Sequence, residues 1–184
     1  MKTKNPYLLP SNATPTFYDV SFDVHPTEFV FSGSERITVS ISAPTSEITL
    51  HPNDLVISDG VAITPLGGAK MLAEEMRYDE EKETLTLVFG APLPVGEAEL
   101  EIHFAGELSE GMRGFYRTSF LLDGVVQRGA ATQFEATDAR RAFPCFDQPD
   151  MKARFKIALS VPSDLVALSN MPVVSEDMLD DGRK

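Results

Sequence analysis

Polar and apolar side chains alternate with a period of two along most of the chain. Over 16–24, Phe17, Asp19, Ser21 and Asp23 share one parity, and Tyr18, Val20, Phe22 and Val24 share the other. That is a strand with one wet face. His25-Pro26-Thr27 makes a turn. The alternation resumes over 29–41, with Ile37, Val39 and Ile41 inward and Arg36, Thr38 and Ser40 outward. Gly33 inside this run signals a bulge or a tight crossing. Further strands are expected at 47–50, 55–63, 84–89, 97–104 and 114–121. The stretch 71–78 contains LAEEM, which favours helix. The hairpin tip at 79–82 and the TLTLVF run after it make a strand the better reading. Asp123-Gly124 is a strong turn signal between TSFLL and VVQ. Strands are also expected at 131–134, 153–161 and 166–168, the last continuing over 170–174 past Pro172.

Short strands with turn residues between them predict an all-β chain, an antiparallel β-sandwich or saddle. About ten or more strands and under ~10% helix are expected. Residues 1–15 read as a Pro- and Asn-containing lead-in on the surface, and 16–184 as a single β-sandwich domain.

Composition narrows the function classes. The 184 residues are 42% hydrophobic, enough for a core. A net charge of −12 argues against a nucleic-acid partner, which needs a basic stripe. No apolar run of about 20 residues exists to span a membrane. Pro6 and Pro10 interrupt the N-terminus, which lacks a secretory apolar region, so a cytoplasmic location is expected. A single cysteine, Cys145, cannot form an intramolecular disulfide or a multi-cysteine zinc site. His25, His51 and His103 lie on separate expected strands without ligand spacing, so no metal site is expected within this chain.

The chemistry is concentrated in 132–149, TQFEATDARRAFPCFDQP. Gln133 and Glu135 share a parity, so both emerge on one face if the strand at 131–134 continues. Thr137 or Asp138 can cap a helical turn over 137–142, which Pro144 ends. Phe143, Cys145 and Phe146 would plug this turn into the core, with Cys145 as a small filler and not a nucleophile. Asp147 is placed to pair with Arg140 or Arg141. Asp138, Arg140, Arg141 and Asp147 read as a structural ion-pair network, and no catalytic residue is assigned. On pattern alone Glu135 is a solvated edge carboxylate or a binding group. The chain is then a substrate-binding domain, a free-standing β-sandwich binding or adhesion module, or a domain that docks a partner.

TQFEATDARRAFPCFDQPDMKARFKIAL, followed by ALSNMPV, resembles the end of the N-terminal domain of zinc-dependent aminopeptidases. These gluzincins include the puromycin-sensitive and alanyl aminopeptidases and microbial relatives such as tricorn-interacting factors. LPSNATPTFYDVSFDV, FSGSERITVSI and EITLHPNDLVI are similar to the family's first three strands. PLPVGEAELEIHFAGEL and MRGFYRTSF are similar to its later ones, so the likeness covers nearly the whole chain. Gln148 departs from the usual Glu of FDEP, which removes one ion pair.

The resemblance implies a domain of a zinc enzyme that removes N-terminal residues from peptides. The HExxH helix and the GAMEN strand of such enzymes are absent from this sequence. The zinc and the hydrolysis are therefore expected in a neighbouring catalytic domain, and the 184-residue chain alone is expected to be inactive. By the same resemblance Glu135 helps bind the substrate's free α-amino group, and Gln133 lines the pocket for the first side chain. Asp138, Arg140, Arg141 and Asp147 then support them. A cis peptide after Glu135 is also implied. So is a sheet that continues beyond Lys184, which would leave an edge open to self-association.

Overall fold

The computed structural model describes residues 7–184; the expected lead-in's first residues, 1–6, lie outside them. The strands are β1 (Ala13–His25), β2 (Val30–Ile41), β3 (Thr45–Leu50), β4 (Leu55–Ile57), β5 (Ala62–Pro65) and β6 (Met71–Asp79). They continue with β7 (Thr84–Leu93), β8 (Gly96–Glu107), β9 (Gly114–Leu122), β10 (Val125–Gln133) and β11 (Arg154–Ser160). Among the described residues the helical content is one 3-10 turn, Ala139–Arg141. The class is all-β, as the alternation predicts.

Nine strands form one sheet in the order β11-β1-β2-β8-β5-β6-β7-β3, with β4 also on β8; β9 and β10 form a separate ribbon. Inward side chains of β1, β2, β8, β7 and β3 belong to one hydrophobic cluster, so the sheet folds over a common core. Ile37, Leu50, Leu85, Leu87 and Leu100 are fully buried there. Phe22 gathers Phe31, Phe104, Phe115 and Phe143 around it at centroid distances of 5.8–6.3 Å, a range in which tilted and edge-on rings attract. Gly33 is the tight crossing that its place in the pattern suggests. A Cβ there would lie 2.4 Å from the Phe104 ring and 2.7 Å from the Ser21 carbonyl oxygen.

Four expectations need correction. The lead-in does not simply lie on the surface. Leu9 and Ala13 are buried, and β1 begins three residues earlier than 16. The Asn12 amide fastens this stretch to Thr45 Oγ1 and the Glu47 carbonyl oxygen, 2.9 Å each. The run 55–63 is not one strand: Asp59-Gly60 interrupts it, and its two halves, β4 and β5, pair separately with β8. β11 runs parallel to β1, because the long segment after β10 lets the chain return in the same direction. No strand forms over 166–174. Val166, Leu168, Met171, Val173 and Val174 are exposed, and Pro172 removes a ladder donor.

The ribbon is pinned at mid-length and at one end. At mid-length Arg117 and Arg128 both stack on Phe29 in the β1–β2 turn, their guanidinium carbons 4.5 and 4.9 Å from its ring centroid. Arg128 Nη1 also donates to the Thr27 carbonyl oxygen at 3.0 Å. At its open end the ribbon closes on Gly114, opposite Gln133, and delivers the chain into the 134–149 segment.

Glu35 breaks the inward pattern of β2. It stands opposite Val20 and Ile102, is buried, and neither carboxyl oxygen has a partner among the described residues. Desolvation raises its carboxyl well above the usual carboxylate range, which favours the protonated form. A folded-state value above the unfolded one favours folding most at low pH. That advantage is lost as pH rises from the unfolded value through the folded one. Glu35→Leu is therefore expected to stabilise the chain at pH 7 by about 1–3 kcal/mol in urea denaturation. The gain should shrink below about pH 4, where the unfolded carboxyl is protonated too. A lowered urea midpoint at pH 7 would contradict this assignment.

Candidate functional site

β10 ends at Gln133, so the strand parity that would place Gln133 and Glu135 on one face does not extend to Glu135. The chain turns there instead. Gln133 Oε1 accepts a hydrogen bond from the Glu135 backbone N–H at 3.1 Å. The Asp138 N–H donates to the Phe134 carbonyl oxygen at 2.9 Å, closing a short loop with Glu135 inside it. The Glu135–Ala136 peptide is cis. Gln133 and Glu135 are both exposed, and the Glu135 carboxylate has no ion pair among the described residues.

Behind the loop the two arginines face different partners. Arg140 is buried and fully engaged. Its Nε donates to Asp147 Oδ2 at 2.9 Å, Nη2 to the Asp147 carbonyl oxygen at 3.2 Å, and Nη1 to Glu83 Oε2 at 3.0 Å. Its own carbonyl oxygen accepts from the Asn53 N–H at 2.8 Å. Arg141 is more open. Its Nε donates to Asp138 Oδ1 at 2.9 Å, Nη1 pairs with Asp54, and Nη2 lies 3.8 Å from Glu83 Oε1. Asp147 thus pairs with Arg140 and not with Arg141. Asp138 sits at the N-cap position of the 3-10 turn without capping it, because its carboxylate is taken by Arg141.

The core side of the segment is closed by apolar burial and backbone pairing. Phe143, Cys145 and Phe146 are buried, as expected. His51 and Cys145 exchange two backbone hydrogen bonds of 2.8 and 3.0 Å, which weld the segment to the end of β3. Tyr18 Oη accepts from the Phe146 N–H at 3.1 Å. Burial raises the Cys145 thiol well above its ordinary value, so it stays an inert filler. Burial, with the Arg140 charge second, lowers His51 to about 4, so this histidine is neutral near pH 7. Gln148 uses both halves of its amide. Oε1 accepts from the Leu9 N–H at 2.9 Å, and Nε2 donates to Asp150 at 2.6 Å. A carboxylate could make only the first.

Gly114 is required beside this network. Its φ is +66°, and a Cβ would lie 2.6 Å from the Arg141 Cβ, so glycine lets the ribbon cross the arginine stem.

Three participants escape sequence reasoning: Glu83, Asn53 and Asp54. Glu83 lies on the β6–β7 turn, 57 residues from Arg140, and Asp54 is 87 residues from Arg141. The acidic run at 79–83 reads as an ordinary hairpin tip. The signal available was a long acidic side chain at the end of that tip, where a turn alone would favour Gly or Asn.

Among the described residues no group of three or more His, Cys, Asp or Glu is placed to hold a metal ion, and no helix is long and apolar enough to cross a membrane. What the site offers is an exposed carboxylate and an amide on a loop backed by an ion-pair network centred on the buried Arg140. Breaking that network from the inside should be costly. Arg140→Ala is expected to destabilise the chain by about 3–5 kcal/mol, since it strands Asp147 and Glu83. Arg141→Ala should cost about 1 kcal/mol or less, its pairs being wetter. Equal losses in urea denaturation would contradict this ranking.

The profile of the peptidase M1 N-terminal domain matches residues 14–184. The chain is 44% identical over 168 residues to aminopeptidase M1-B of Oryza sativa subsp. japonica, covering 91% of this chain and 19% of that protein. It is 39% identical over 177 residues to the puromycin-sensitive aminopeptidase of Caenorhabditis elegans, covering 96% of this chain and 19% of that protein. To aminopeptidase N of Canis lupus familiaris it is 37% identical over 181 residues, covering 92% and 19%. The chain spans about a fifth of the length of these curated relatives. A fold built to hold the 134–149 segment, matched from β1 to Lys184, thus belongs to the peptidase M1 N-terminal domain family.

Proposed function

We propose that this domain anchors the free N-terminus of peptide substrates in a zinc aminopeptidase whose catalytic domain lies outside the 184 residues. Glu135 meets the substrate α-ammonium group, and Gln133 lines the pocket for the first side chain. The observation that carries this reading is the Glu135 carboxylate itself, exposed and without a cationic partner among the described residues, beside a segment whose charges at Asp138, Arg140, Arg141 and Asp147 are held in ion pairs.

The chemistry is coherent with exopeptidase action. A terminal amine with a reference pKa of about 8 is largely cationic near neutrality. An internal residue offers no such charge. A fixed carboxylate at the end of a cleft therefore selects chain ends and sets the first peptide bond at a defined distance from the hydrolytic centre. Gln133 can present its amide N–H donors to a substrate, because its oxygen is already held by the Glu135 N–H. The domain works with its own catalytic domain as partner and with peptides that have free N-termini as substrates. The HExxH and GAMEN sequences being absent here, the chain alone is inactive in this reading.

In the aminopeptidase that contains this domain, Glu135→Ala is expected to lower kcat/KM for unblocked peptides by about 2–5 kcal/mol, mainly through KM. An unchanged kcat/KM would remove Glu135 from substrate binding. A second expectation concerns the sheet edge. β11 is the last strand of its sheet, and Phe155 and Ile157 remain about half exposed on it. An edge with apolar side chains invites strand pairing. The 184-residue chain should therefore self-associate with rising concentration in sedimentation experiments. A monomer throughout would show that the edge is silent.

A further inference from the structure

The loop that carries Glu135 is short, exposed and backed by Arg140 and Arg141. Both arginines touch a third residue from a remote hairpin, Glu83. Its Oε2 accepts from Arg140 Nη1 at 3.0 Å, and its Oε1 lies 3.8 Å from Arg141 Nη2 and accepts from the Asn53 side-chain amide. One carboxylate therefore spans the pair and ties it to the β3–β4 connection. From Arg141 the connection runs to Asp138 at 2.9 Å, and from the Asp138 N–H to the Phe134 carbonyl oxygen at 2.9 Å. That last bond closes the loop in which Glu135 sits.

The backbone at Glu83 favours a reading beyond turn formation. Its φ is +52°, in the left-handed region where Gly and Asn are at ease and Glu is not. A residue chosen for the turn alone would be one of those. Glu there keeps an unfavourable backbone in exchange for its side-chain bonds, and such outliers concentrate at functional sites.

We propose that Glu83 is a positioning residue for substrate anchoring, acting through Arg141 and Asp138 to fix where the Glu135 carboxylate points. The proposal rests on the anchoring role given to Glu135 above. It assigns the β6–β7 turn, otherwise a surface hairpin tip, to the active site of the enzyme.

The test is a double-mutant cycle in the aminopeptidase that contains this domain, with KM and kcat measured on an unblocked dipeptide amide. Glu83→Asn suits the left-handed backbone, keeps the turn and removes the reach and charge. Glu83→Gln keeps the length and removes only the charge. Either variant is expected to raise KM about tenfold and to leave kcat within about twofold, the effect of a slightly misplaced anchor. Combined with Glu135→Ala, neither should add a further increase, because Glu83 acts only through Glu135. A purely structural role would lower the yield of folded enzyme without moving KM.

If Glu135→Ala raises KM and both Glu83 variants leave it unchanged, Glu83 does not position the anchor, and the anchoring reading stands. If the two effects multiply in the double variant, Glu83 acts independently of Glu135 and the proposal is overturned. If Glu135→Ala itself leaves KM unchanged, the anchoring reading and the positioning role fail together.

Discussion

Arg140 is the only cationic side chain buried among the described residues, and the site is arranged around it. A guanidinium withdrawn from water must have its donors met, or the burial is prohibitive. Here they are met by Asp147 from its own segment and by Glu83 from the β6–β7 turn, while its backbone carbonyl takes the Asn53 N–H. Three parts of the chain far apart in sequence are thereby held at one point. The loop containing Glu135 leaves from that point, closed by the Asp138 N–H to Phe134 carbonyl bond.

The rest of the fold makes this geometry affordable only because the hydrophobic core is extensive. Leucines, isoleucines and phenylalanines from both halves of the folded sheet form one cluster, and Phe143, Cys145 and Phe146 join it from the segment. The aromatic network joins Phe134 to Phe143, Phe143 to Tyr18, and Tyr18 to Phe155. The polar loop is thus attached to the core on one side and to the ribbon on the other. Charges that are buried come in pairs, with Glu35 as the exception, and burial favours the protonated form of its carboxyl. Glu135 is different in kind, since it is exposed and has no cationic partner among the described residues.

Much of the scaffold is legible in the sequence because period-two alternation reports burial directly. The ribbon's turn follows from the Asp123-Gly124 pair, and β1, β2, β7 and β8 follow from the alternation. It failed where a strand needs a neighbour. The apolar residues at 166–174 alternate acceptably, yet no sheet edge meets them, and pattern alone does not reveal that. The direction of β11 was hidden for a related reason, since parallel pairing depends on the path of the preceding segment. The Arg140–Asp147 pair was within reach of local reading, with both residues in one short stretch. Glu83 and Asp54 were not, because long-range ion pairs leave no spacing in the sequence. Of the two cap candidates, Thr137 and Asp138, the structure puts Asp138 at the cap position, but its carboxylate goes to Arg141, whose charged donor outcompetes the neutral N–H groups of a one-turn helix.

The central claim is mechanical: the Glu135 loop is held as firmly as a strand although it is exposed. Backbone ¹⁵N relaxation on the 184-residue chain measures this directly. The account predicts order parameters near about 0.85 for 134–138, matching β10 and the 3-10 turn. Values below about 0.6 at Glu135 and its neighbours would contradict it, for a carboxylate on a loop that mobile has no fixed position at which to meet a cation.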